Sequence, residues 1–191
     1  MNKIITTVII FLLGISSLYS QILIEGDIFK VNYSEKYEQP LEVHYTVECP
    51  LGKASRKGMD FHKVDSVKTS DNDDYKNNVW DKGHMAPAAA FNCDKGTLLK
   101  TFSYLNCALQ HQGLNRGPWK ELERFERDLA KLFKVNVKIE VIFDENSEKL
   151  ETGATVPSYF IKTISFEKYV HTYKFPNKDV KGKNWYTFKI K

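Results

Sequence analysis

Residues 115–134 read NRGPWKELERFERDLAKLFK. Trp119, Leu122, Phe125, Leu129, Leu132 and Phe133 recur at steps of three and four, while Lys120, Glu121, Arg124, Arg127 and Asp128 fill the positions between. One side of a helix is then apolar and the other charged, and the spacing predicts a helix from about Asn115 to Lys134. Pro118 lacks an N–H, so it fits only in the first turn, where such groups have no intrahelical partner. At ~100° per residue Asn115 projects toward Leu122 and Phe133 on the apolar side. An amide there serves either as N-cap or as an inward polar group that needs a partner. Glu123, two turns on, lies on the flank of that face and either points inward or pairs with Arg127. Spacing leaves both choices open.

Outward from this helix the composition changes. VKIEVIF (137–143), YFIKTISF (159–166) and the Tyr/Val/Phe-rich tail have strand composition, as does LEVHYTVEC (41–49), which ends at a Pro50 and Gly52 turn. The polar run SVKTSDNDDYKNN (66–78) predicts a surface loop. Strands, one long helix and further strands give an α+β layout with antiparallel pairing. No repeat or Gly/Ser linker divides residues 21–191, which read as one domain large enough to bury a core.

Between that loop and the helix stands WDKGHMAPAAAF (80–91). Four of the five histidines have weak claims to chemistry: His44 alternates within a strand, His62 and His111 lie in polar surroundings, and His171 sits in the tail. His84 differs, with Asp81 three residues before it, Gly83 beside it and Pro87 after it. A carboxylate near an imidazole selects its tautomer and holds the ring, as a general base requires. The stretch LNCALQHQGLNRGPWKELE (105–123) then places Asn106 and Asn115 nine apart, with Glu123 eight further on.

Residues 1–20 carry Lys3, an apolar run from Ile4 to Ile15 and a small, polar end, the layout of a cleavable signal peptide. The apolar run falls short of the roughly 20 residues of a spanning helix, so the expectation is an exported protein, secreted or periplasmic, without stable membrane association. Lys3 removed, 28 basic residues become 27 against 24 acidic. That mild excess permits a polyanionic partner without demanding one. Lysines crowd the last thirty residues, either as a solvated sheet edge or as a nucleic-acid track. Cys49, Cys93 and Cys107 allow one internal disulfide and leave one thiol, and they match no zinc spacing.

Taken together, WDKGHMAP (80–87), LN (105–106) and LNRGPWKELE (114–123) resemble the signature of the DNA/RNA non-specific endonucleases, a family with the ββα-metal (His-Me finger) fold. The likeness covers roughly residues 40–165, including RKGMDF (56–61) and VPSYFIK (156–162). It implies an antiparallel sheet with a long metal-bearing helix, and a Mg²⁺-dependent endonuclease, Mn²⁺ being an alternative, that cleaves DNA and RNA to 5′ phosphates. His84 would be the general base and Asn115 the lone protein ligand of the cation. Glu123 would hold the cation's water shell, Asn106 the histidine and substrate, and Arg56 a phosphate oxygen.

Such a set is chemically sufficient, because Mg²⁺ gives up its waters reluctantly and needs few protein ligands. An unperturbed histidine base would make activity rise through pH ~6 to 7. Two departures stand out. Lys82 replaces the family's arginine beside Asp81, keeping charge but losing a two-pronged phosphate grip. Tyr104 and Leu109 replace a small residue and a proline. Lys82 and Leu109 support an alternative, a secreted nucleic-acid-binding protein with weakened catalysis.

Overall fold

A computed structural model describes residues 21–190; the expected signal peptide lies outside them. Three strands open the described residues: β1 (Gln21–Glu25), β2 (Phe29–Ser34) and β3 (Gln39–Thr46). A long excursion follows, holding β4 (Trp80–His84), the short helix α1 (Lys95–Lys100) and β5 (Cys107–His111). Helical winding starts at α2 (Gln112–Leu114), widens through a π turn at Asn115–Trp119 and continues as α3 (Lys120–Ala130). Three strands close the fold: β6 (Asn136–Ile142), β7 (Tyr159–Phe166) and β8 (Tyr169–Pro176).

Among the described residues two antiparallel sheets result. Six strands run in the order β1-β2-β3-β6-β7-β8, and β4 pairs with β5 as a separate ribbon. Alternation decides which face of the large sheet is dry. Val31 and Tyr33 of β2, Val43 and Tyr45 of β3, Val137, Ile139 and Val141 of β6, and Phe160 and Ile164 of β7 are all buried in one core. Trp119 and Leu122, both fully buried, belong to that core, and the Trp119 ring lies 5.4 Å from Phe160 and 5.5 Å from Phe175. Burying each such side chain is worth about 1.5–3 kcal/mol, so the helix is held by what its apolar face covers.

The observed helix differs from the predicted one at both ends. It closes at Ala130, and Leu132 beyond it is exposed. At the start, winding precedes Pro118 by six residues, which a single first turn cannot contain. The π turn resolves the conflict: Gly117 leaves helical geometry at φ −106° and ψ −119°, and the chain resumes α winding after the proline. His111, rather than Asn115, supplies the N-cap, its Nδ1 accepting the Gly113 N–H at 3.0 Å. The Asn115 amide is thereby left for other work.

Candidate active site

The two-stranded ribbon and the helix face each other across a cleft of about 680 Å³. His84, Lys82 and Asp81 reach it from β4, Asn115 and Arg116 from the π turn, Glu123 and Arg127 from α3, and Arg56 and Phe61 from the irregular segment after β3. Of the seven side chains singled out in the sequence, six line this one cleft.

Asn106 is the exception. It is fully buried, its Oδ1 accepts the Ala86 N–H at 2.7 Å, and its Nδ2 donates to the carbonyls of Ala86 and Thr101 at 2.8 and 3.0 Å. Its side chain does not touch His84; it fastens the backbone of Ala86, two residues further along the chain. The expected contact with substrate is not available to a side chain that never reaches the cleft.

Asp81 also differs from expectation, for it does not orient the imidazole. Its Oδ2 accepts the Asn115 Nδ2–H at 2.9 Å and the Arg116 Nε–H at 2.8 Å, while Oδ1 accepts from the second Arg116 nitrogen at 2.6 Å. The bond from Asn115 fixes which way that amide points. With its nitrogen turned to Asp81, its carbonyl oxygen is the atom free for a cation. The carboxylate thus ties the ribbon to the helix at the point where metal chemistry is expected.

His84 is held by rings instead of by a carboxylate. Phe61 lies 4.6 Å from it and Phe102 packs edge-on at 4.8 Å. Its Nε2 is buried and has no hydrogen-bond partner among the described residues. Burial in this aromatic collar pushes the imidazole down to about 3, and the nearby Arg56 guanidinium pushes the same way. This shift favours the neutral ring that a base must be and places its titration below the 6 to 7 of an unperturbed imidazole, although His84 is half-buried and lines the cleft.

Glu123 moves in the opposite sense. Burial raises its carboxyl to about 7, with Lys162 beneath the helix lowering it, Glu126 raising it and Arg127 lowering it. The Trp119 indole N–H makes no hydrogen bond of ordinary geometry, yet it favours the ionised form weakly. Arg127 bonds the backbone carbonyl of Glu123 at 2.9 Å and does not pair with its carboxylate. Under the helix Lys162 Nζ sits 2.7 Å from Glu126 Oε1 and 4.1 Å above the Trp119 ring, and Tyr45 donates to Glu126 Oε2 at 2.6 Å.

Lys82 keeps its charge at the cleft but not its freedom. Its ammonium is 2.7 Å from Asp60, also bonds Asn72, and lies 5.7 and 5.5 Å over Phe61 and Tyr104. The hydrogen bond from Lys82 holds the Asp60 carboxyl below its usual range.

Sequence reasoning passed over Phe61 and Arg116. Phe61 closes the RKGMDF stretch, so a signal existed, although its tilted contact with His84 depends on loop packing. Arg116 is adjacent to Asn115 and finds Asp81 only through the ribbon's register.

A cation would find one amide oxygen and one nearby carboxylate here. Among the described residues no group of three or more His, Cys, Asp and Glu converges on a metal position. That donor set suits a hard ion that keeps most of its water and does not suit zinc.

The family model described as DNA/RNA non-specific endonuclease matches residues 18–191. Among curated relatives, the mitochondrial nuclease EXOG of Danio rerio is 32% identical over 108 residues, 54% of this chain and 32% of the relative. Mitochondrial endonuclease G of Homo sapiens is 28% identical over 149 residues, 68% of this chain and 50% of the relative. The chain spans half or less of the length of these relatives. A solved structure described as the EndoG/EndoGI complex superposes with a TM-score of 0.78 at 23% identity, covering 88% of this chain and 80% of that one. That likeness shows the shared ββα-metal, α+β fold.

Proposed function

This chain belongs to the DNA/RNA non-specific endonuclease family, and from that premise we propose that it is an exported, Mg²⁺-dependent endonuclease hydrolysing phosphodiester bonds of DNA and RNA. One observation carries the reading: a neutral, ring-clamped His84 and an Asn115 amide with its oxygen free line the same cleft. Family membership supports the substrate class, and the Cys49–Cys93 disulfide supports export to an oxidising compartment.

His84, neutral and lining the cleft, takes the proton of the attacking water. Asn115 and Glu123 would hold Mg²⁺, which when bound offsets charge on the phosphate and the departing 3′ oxygen. Arg56, exposed on the rim, meets a non-bridging phosphate oxygen. Lys82 adds positive potential in place of direct two-pronged contact, since Asp60 and Asn72 already hold its ammonium. Contacts of this kind go to phosphate and carry no base information, which accounts for weak sequence preference.

Plasmid DNA and total RNA incubated with the purified protein test the proposal. Both are expected to be degraded with Mg²⁺ and spared with chelator, and His84→Ala should lower the rate by at least about two orders of magnitude, the scale of a lost general base. Intact substrates that are instead retained in a gel shift would make this a binding protein.

A further inference from the structure

Arg116 stands between the cleft and further open space. A cavity of about 330 Å³ shares Arg116 with the cleft, and a second of about 300 Å³ shares Gly117 with the first. Their far wall is DVKGKNW, residues 179–185. Val180 is buried in the core and pins this segment. The Lys183 N–H closes a turn on the Val180 carbonyl at 3.1 Å, with Gly182 at φ +79° inside it. Lys181 and Lys183 flank that glycine, and both are exposed.

The groove is cationic in its free groups. Lys181 lines the first cavity and Lys183 the second, and neither forms an ion pair among the described residues. Two carboxylates share the walls: Glu121 pairs with Arg124 at 2.7 Å, whereas Asp179 accepts only the backbone N–H of Lys181 at 3.0 Å, so the two lysines outnumber the one carboxylate without a cationic partner among the described residues. On the opposite side a Cβ at Gly117 would meet nothing within 4 Å, so the floor is open to close approach by another backbone.

We propose that this groove is the track of the nucleic-acid strand flanking the scissile phosphate, with Lys181 and Lys183 each contacting a backbone phosphate. The assignment rests on the nuclease reading. Adjacency to the cleft across Arg116 and the excess of free cations select a polyphosphate chain as occupant.

The experiment compares Lys181→Ala/Lys183→Ala with the intact full chain in two measurements. In chelator, fluorescence anisotropy follows binding of a long single-stranded oligonucleotide across a salt series. Affinity is expected to fall about tenfold, and the log–log salt slope to decrease by about 1.4, at ~0.7 per single-strand phosphate contact. With Mg²⁺, kcat/KM on the oligonucleotide should fall while that on a dinucleotide, too short to reach the groove, stays level. Unchanged affinity and slope would overturn the track, and so would equal losses on long and short substrates. Should the unaltered protein cleave nothing, the nuclease reading fails, yet the chelated binding series still decides the track.

Discussion

At positions 84 and 123 the same physical cause, burial, acts on groups of opposite charge type. It keeps the imidazole neutral down to about 3 and the carboxyl protonated up to about 7. The pH dependence should therefore belong to the acid. Above pH ~7 Glu123 is ionised and attracts a cation; below it the group is neutral, and metal affinity should weaken by up to about tenfold per pH unit, as for any ligand set that takes up one proton. Calorimetric Mn²⁺ titrations from pH 5.5 to 8 are expected to show this slope in the parent protein and none in Glu123→Gln. An acid limb near pH 6 to 7 persisting in Glu123→Gln at saturating metal would return the titration to His84. His84, Asn115 and Glu123 could be named from the sequence through the motifs that carry the family resemblance, spacing alone leaving Asn115 and Glu123 open, and the three line one cleft. The partner of Asp81 was not. Register sets it, through Asp81 opposite Gln110 on a ribbon that leads into residue 115, and no spacing rule along one strand reports on a neighbour.

The helix and the strands it covers show the same division between local and non-local information. Periodicity located α3, and composition located β3, β6, β7 and the tail strand β8. The π turn escaped, since Pro118 announces trouble without saying which relaxation the fold adopts, and β1, β2, β4 and β5 are short pieces stabilised mainly by neighbours. Nothing in 120–130 signalled that Glu126 would be fully buried against Lys162. This pair joins α3 to β7 and, through the Tyr45 hydroxyl, to β3. Lys162→Met should leave Glu126 buried without its counter-charge and destabilise the protein by about 3–5 kcal/mol, whereas Lys162→Met/Glu126→Gln should recover much of that loss. Urea unfolding at pH 7 measures both. A single-variant cost below about 1 kcal/mol would mean that water reaches the pair.

Across the whole molecule, the Cys49–Cys93 disulfide decides how much irregular chain can surround a precise site. The ring it closes spans a sequence separation of 44 and contains Arg56, Phe61, Asp81, Lys82 and His84. Its first part, before β4, has little regular structure, and it is fastened by scattered backbone bonds such as Ala54 N–H to Asn92 at 2.9 Å and His62 N–H to Phe102 at 2.9 Å. Bonds of this kind open together when the ends of the loop separate. Closing a loop of this length removes denatured-state entropy worth about 4 kcal/mol, and of the two rings against His84, Phe61 lies inside that loop and Phe102 outside it. Cys107 cannot substitute as a partner, for it is buried, its thiol is pushed up to about 12, and its sulfur is 3.2 Å from the Tyr75 hydroxyl. Thiol counting in denaturant should find one reactive group in the oxidised protein and three after reduction. Reduction, or Cys49→Ser/Cys93→Ser, is expected to lower unfolding free energy by about 4 kcal/mol, and susceptibility to proteolysis should rise first between residues 50 and 71. If stability and cleavage pattern were both unchanged after reduction, the core alone would be holding His84 in place, and the oxidising compartment proposed for this protein would lose its structural reason.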